Sequence, residues 1–197
     1  MANTPERITF YLKNMVSNSC IKLVKNVLSN FKQVVVIKVE LGIAVIEVAN
    51  IDNFKQIEVE KKLKDLDFPV INDKNLQLVE QIKIACIELI HYYNNANSLI
   101  RNSDYLCDKL GFPYHHLTKL FSDKTGITLE KYIILLKIER IKELLIYDEH
   151  SLSEISFMMG YSSVQYLSNQ FKQIAGVTIS DFKKNKNYTR IPLEDLA

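Results

Sequence analysis

SLSEISFMMGYSSVQYLSNQFKQIAGVTISDF, residues 151–182, reads as a helix, a tight turn at Gly160 and a second helix that ends at Gly176. Ser151 and Glu154 stand at capping-box spacing: the hydroxyl takes an orphan backbone N–H of the first turn and the glutamate reaches back to the cap. Thr178 and Asp181 repeat the spacing, with the shorter acid. In the second helix Leu167 and Phe171 fall on one face, and Val164, Gln165, Tyr166, Ser168 and Asn169 lie off it. Two short helices joined by a turn with glycine are the sequence form of the helix-turn-helix, which sets its second helix in the DNA major groove.

The same unit occurs earlier, in NSDYLCDKLGFPYHHLTKLFSDKTGITLEKY, residues 102–132. Leu117, Phe121, Gly126, Thr128 and Tyr132 match Leu167, Phe171, Gly176, Thr178 and Phe182 at one constant offset. Leu106, Gly111 and Phe112 match Ile155, Gly160 and Tyr161 at an offset one residue shorter, so the second copy carries an extra turn residue within Ser162-Ser163. Matched core positions and matched glycines imply one unit built twice. Residues 129–147 between the copies form a longer helix that buries Ile133, Leu136, Ile141, Leu144 and Leu145. At 1.5 Å per residue such a helix is about 28 Å long, against about 34 Å for a turn of B-DNA. Two recognition helices held at its ends can enter successive turns of the major groove.

The 197 residues carry a net charge of only +2, with ten Lys/Arg against eight Asp/Glu in residues 1–72 and fifteen against fifteen beyond. Bulk charge therefore does not mark a nucleic-acid binder. Local clusters must supply any basic surface, such as Lys172, Lys183, Lys184 and Lys186 beside the lone Asp181. Three cysteines, Cys20, Cys86 and Cys107, are too few and odd in number for a disulfide framework and fit a reducing compartment. No apolar run reaches membrane-spanning or signal-peptide length. A cytoplasmic protein without a membrane partner is expected.

Upstream, residues 8–13 read as a strand. Residues 19–30 read as a helix capped by Ser17 or Asn18, and residues 34–48 as a hairpin broken at Glu40-Leu41-Gly42. Residues 54–66 return to helical spacing, and residues 68–71 read as a short closing strand. That β-α-β-β-α-β order is the split, ferredoxin-like unit. The expected fold is thus α+β in residues 1–72, a linker or helix start at 73–78, and an all-α domain of about seven helices over 79–186. In that domain two helix-turn-helix units are joined by the long helix, and residues 187–197 form a frayed tail. Asn94 to Ser98 should end the domain's first helix. No glycine-rich phosphate loop, nucleophile motif or paired carboxylates appear, so catalysis is not expected.

Residues 78–185 resemble the DNA-binding domain of the AraC/XylS family of bacterial transcription regulators, through YLCDKLGFPYHHLTKLFSDKTGITLEKYI, KIERIKELL and ISFMMGYSSVQYLSNQFKQIAGVTISDFK. The resemblance implies a seven-helix domain that binds promoter DNA. Base contacts would fall on His115, Thr118 and Lys119 in the first unit and on Val164, Gln165, Ser168 and Asn169 in the second. Gln and Asn suit adenine, and valine suits a thymine methyl. Lys124, Lys172 and Ser163, by a helix N-terminus, suit phosphates. The family often has arginine where Asn169 stands, which shifts preference there from guanine towards adenine. The partners expected are double-stranded promoter DNA, with RNA polymerase and a second copy joined through the N-terminal domain as further candidates.

The N-terminal part is similar to the heavy-metal-associated fold of copper chaperones. Its strand ITFYLK, its loop Asn14-Met15-Val16-Ser17-Asn18-Ser19-Cys20 and its Leu66-Asp67-Phe68-Pro69-Val70 follow that pattern. Ser17 stands where the family has its first cysteine. Cys20, with Ser17 and Met15, is therefore a degenerate site for Cu(I) or another soft metal, which favours two thiolates. Cys20 as a redox-sensitive thiol near a helix N-terminus, or as an unused residue, are the other readings. A metal-delivery protein whose helical part is an interaction module is the alternative to a regulator.

Overall fold

The computed structural model describes residues 5–51, 54–92, 102–184 and 189–197. They form two compact units, residues 1–84 and 85–197. Among the described residues no helix is long and apolar enough to cross a membrane.

In the first unit β1 (Glu6–Tyr11), β2 (Val34–Glu40) and β3 (Ile43–Val48) form an antiparallel sheet of order β1-β3-β2. The β-branched runs make the strands, and Leu41-Gly42 turns the hairpin, while Glu40, read as part of the break, still belongs to β2. Gly42 has φ 72°, a left-handed conformation that favours glycine, and a Cβ there would lie 2.3 Å from Ile84 Cδ1, so that side chain would have to move. Helices α1 (Asn18–Ser29) and α2 (Gln56–Lys64) bury Val24, Val27, Leu28, Val59 and Leu63 in one core with Phe10, Leu12, Met15, Ala44, Ile46, Val48 and Phe68. Alternate residues of β3 face this core, as the period-two pattern requires.

The expected closing strand is absent as a strand. It is reduced to one bridge, Leu12 to Val70, with Lys13 N donating to Pro69 O (3.1 Å) and Ile71 N to Tyr11 O (2.8 Å). Pro69 has no N–H for a ladder. Asp73 then caps α3 (Lys74–Ile87) by accepting from Leu76 N at 2.9 Å, which turns the chain into helix before a strand can extend. From α3 the buried Glu80 accepts from Asn14 N at 3.0 Å and so holds the loop that precedes α1. Burial pushes the Glu80 carboxyl above its usual range, with Lys83, the Asn14 N–H and Lys13 opposing.

The second unit is helical. A π-helical turn (Glu88–Tyr92) continues from α3, and α4 (Asn102–Leu110), α5 (Tyr114–Thr125), α6 (Leu129–Tyr147), α7 (Leu152–Met158), α8 (Val164–Ala175) and α9 (Ile179–Lys184) follow. The break expected at Asn94–Ser98 and the cluster member Lys186 lie outside the described residues. Helix α6 is the axis: both α5 and α8 pack on it, and Leu129, Tyr132, Ile133, Leu136, Ile138, Ile141, Leu144 and Leu145 are buried.

Two polar residues are buried on the same helix. Glu139 and Lys142 pair at 2.6 Å with side chains 3% and 7% exposed. They also hold the chain end, since Lys142 Nζ donates to Thr189 O (3.2 Å) and Ile191 N donates to Glu139 Oε2 (3.1 Å). Residues 189–197, expected to fray, thus run against α6, and Leu196 is buried.

Beside this pair, His91 Nδ1 lies 3.7 Å from Glu143 Oε2. Burial lowers the His91 pKa from 6.5 to about 4. Glu143 opposes that shift, and Arg140 and Arg190 add to it, so the imidazole is neutral at pH 7. The unfolded chain then takes up this proton near pH 6.5 and the folded chain only near 4. Stability is therefore intact above pH 6.5 and falls as the pH drops to 4, by on the order of 3 kcal/mol. Burial alone would raise the Glu143 pKa, but the Arg140 hydrogen bond and the neighbouring positive charges lower it, so its own contribution is lost as the pH falls below 4.5. Urea titrations from pH 7.5 to 4.5 should show a steeper loss for the wild type than for His91→Gln. Parallel curves would refute the assignment.

Candidate nucleic-acid interface

From the helix starts at Tyr114 and Val164 onward the two sequence copies have the same structure at a constant offset of 50 residues, Leu117 to Leu167. Residues 114–132 and 164–182 carry the same pattern of helix, two-residue bend and helix start. Helices α5 and α8 both end on a left-handed glycine, Gly126 (φ 77°) and Gly176 (φ 76°), whose N–H groups donate to Ser122 O and Lys172 O. Beyond them, Thr128 accepts from Lys131 N and Thr178 from Asp181 N, both at 3.1 Å, to start α6 and α9. Ser151 and Glu154 close the capping box at the start of α7.

The copies differ in the turn. Three residues, Gly111 to Pro113, precede α5, and four, Gly160 to Ser163, precede α8. The extra residue lets Ser163 cap α8 by accepting from Tyr166 N at 3.1 Å, whereas Pro113 offers no side-chain cap.

Each second helix is fixed by two apolar residues. Leu117 and Phe121 of α5 are fully buried, and the Phe121 ring lies 5.2 Å from Tyr132. Leu167 and Phe171 of α8 are fully buried, and Phe171 meets Phe182 edge-on at 5.5 Å. This leaves His115, Lys119, Gln165 and Asn169 exposed and Thr118, Val164 and Ser168 half-buried, at equivalent places on the two helices. Thr118 Oγ1 donates to His115 O at 3.1 Å, and Gln165 Nε2 donates to Asn169 Oδ1 at 3.0 Å. Of the phosphate-contact candidates, Ser163, Lys124 and Lys172 are all exposed. The lysines do not correspond: Ser122 stands at the place of Lys172, and Ile174 at that of Lys124.

Within the helical unit, between the two helix pairs and over α6, lies a depression of about 260 Å3 lined by Tyr114, Glu130, Lys137, Tyr161, Tyr166 and Gln170 among others. Sequence reading missed Lys137, whose position within the α6 pattern gives no sign of a role. Its Nζ donates to Met159 O at 2.7 Å and lies 5.5 Å from the Tyr161 ring centroid, and burial lowers its pKa. Tyr161 in turn donates to Gln170 Oε1 at 2.6 Å, which ties the second turn to α8. Burial, with Tyr166 nearby, raises the Tyr161 pKa. Burial and then the bond to Glu130 (3.0 Å) raise that of Tyr114.

At the N-terminal loop, Ser17 Oγ and Cys20 Sγ lie 3.2 Å apart, and Met15 is fully buried in the core. One thiol with a hydroxyl does not fit a soft metal, which takes two thiolates. Among the described residues no three His, Cys, Asp or Glu side chains gather as a metal site. Cys86 is buried, which pushes its thiol pKa up.

Residues 106–185 match the family model described as a helix-turn-helix domain. The xylose operon regulatory protein of Escherichia coli K12 is 32% identical over 99 residues, 50% of this chain and 25% of that protein. The Msm operon regulatory protein of Streptococcus mutans is 29% identical over 113 residues, 57% of this chain and 38% of that protein. This chain thus spans only 25% and 38% of the length of these two relatives, which are regulators by name. A solved structure of a xylose-binding transcription activator aligns at 21% identity and a TM-score of 0.42, over 83% of this chain and 36% of that one, too low to define the fold of the whole chain. The duplicated helix pairs around α6 and the matching family model identify residues 106–185 as a helix-turn-helix domain.

Proposed function

We propose that this protein is a sequence-specific regulator of transcription that binds promoter DNA, with α5 and α8 reading successive major-groove turns. The carrying observation is that α5 and α8 repeat one burial pattern, each with a polar face turned outward and both packed on one rigid helix. At 19 residues α6 is about 28 Å long, near the repeat of about 34 Å of B-DNA. The names of the two operon regulators support the same role. In this reading His115, Thr118, Lys119, Val164, Gln165, Ser168 and Asn169 meet bases, and Lys124, Lys172 and Ser163 meet phosphates. RNA polymerase is then a partner by function.

For the N-terminal unit we infer a ferredoxin-like ancestry that has lost most of its last strand. The β1-β3-β2 order, the α1 crossover and the Leu12–Val70 bridge on the side of β1 support this. The outer edge of β1 over residues 6–10 then suits pairing with a second copy. Metal delivery has no supporting observation, since Cys20 stands without a second thiolate.

The test is a salt titration of binding to duplex DNA. The slope of log K against log salt should be steep and negative, and Lys172→Ala should lower it by about one unit while weakening all sequences alike. A protein with no measurable duplex affinity at low salt would end the proposal.

A further inference from the structure

The two recognition helices share one frame but carry opposite chemistry. Equivalent positions hold Gln165 and Asn169 in α8 but His115 and Lys119 in α5. Resting on the DNA-binding reading above, we propose that Gln165 and Asn169 work as a single clamp for adenine. Lys119 of α5 reads guanine, so the target has unlike halves, an A·T pair under α8 and a G·C pair under α5.

Gln165 and Asn169 are both exposed, one helical turn apart, and their amides are joined at 3.0 Å. That bond uses one N–H of Gln165 and the carbonyl oxygen of Asn169. The groups that take no part in that bond are the Gln165 carbonyl oxygen, an acceptor, and the Asn169 amide NH2, a donor; the bonded Gln165 NH2 and Asn169 oxygen keep one N–H and one lone pair each. If the donor and acceptor roles were exchanged between the two amides, the pair would still offer one of each. Adenine presents a donor and an acceptor side by side in the major groove, N6–H and N7, whereas guanine presents two acceptors, O6 and N7. The clamp matches the first and leaves an acceptor facing an acceptor on the second. Because the amides already hold each other, less side-chain freedom is lost on binding.

In α5 the matching place holds Lys119, exposed and with three donors and no acceptor. The neighbouring Thr118 hydroxyl donates its hydrogen bond to His115 O. Donors alone suit O6 and N7 of guanine. Since Leu117 and Phe121 seat α5 as Leu167 and Phe171 seat α8, the difference between the halves rests on these side chains and not on how the helices are carried.

The test is selection of full-length protein on a randomised duplex library, run with wild type, Gln165→Ala, Asn169→Ala, the double variant and Lys119→Ala. Circular dichroism melting would establish that each is folded. The wild type should enrich a two-part motif with a fixed A·T pair in one part and a G·C pair in the other. Both single α8 variants should relax the same A·T pair about tenfold, with the double variant little worse than either, while Lys119→Ala relaxes only the G·C pair. A G·C pair at the position governed by Gln165, separate positions for the two amides, or an unchanged motif in both would overturn the clamp and leave their bond as a helix-stabilising pair. Failure of the wild type to enrich any motif would overturn the DNA-binding reading and the clamp with it.

Discussion

Lys142→Met should destabilise the helical unit by about 3–5 kcal/mol, the cost of leaving a buried charge without its partner. Glu139 is 2% exposed, and Lys142 donates to it at 2.6 Å. The guanidinium of Arg190 stands 3.8 Å away on a side chain 37% exposed, too distant and too wet to replace the ammonium. The same change removes the bond from Lys142 to Thr189 O, so the chain end should loosen as well. Replacing both partners, Glu139→Leu with Lys142→Met, should cost far less, because no charge is then left in the interior. The remaining loss would be the bonds from Lys142 to Thr189 O and from Ile191 N to Glu139, about 1 kcal/mol each. Urea unfolding of wild type, both singles and the double gives the coupling directly. A Lys142→Met loss below about 1 kcal/mol, or a double variant as damaged as the sum of the singles, would show that the pair is not mutually compensating.

Phe171→Ala should cost a similar 3–5 kcal/mol, the range for emptying a buried aromatic site. Phe171 is fully buried and packs edge-on against Phe182, so it fastens α8 to α9 beneath the exposed Gln165 and Asn169. The cavity should also free α8 to tilt, and DNA affinity should fall even where the protein remains folded. Hydrogen exchange should show the loss of protection concentrated in residues 164–184. Phe121→Ala is the internal control: it holds the same place against Tyr132, and its cost should be comparable with the damage centred on α5. A large cost at one site and a small cost at the other would mean that the two copies, alike in pattern, are not alike in support.

The sequence alone determined the parts whose signals are local. The duplicated unit was legible because Leu117, Phe121 and Gly126 recur as Leu167, Phe171 and Gly176, and the helix ends because glycine alone readily takes the left-handed turn there. The capping box at Ser151 and the hairpin at Leu41-Gly42 were readable for the same reason: each is decided within four residues. Tertiary structure alone decided what depends on distant neighbours. Residues 189–197 looked polar and unattached, yet Glu139 and Lys142, some fifty positions upstream, bind their backbone. Lys137 read as one more charge on a helix, yet burial turns it inward to a turn carbonyl. The closing strand at residues 68–71 had the right residue types, but Pro69 and the helix cap at Asp73 left room for one bridge. In each case the partner is fixed by packing of segments far apart in the chain. Periodicity reports which face of an element is buried, and it carries no information about what that face will meet.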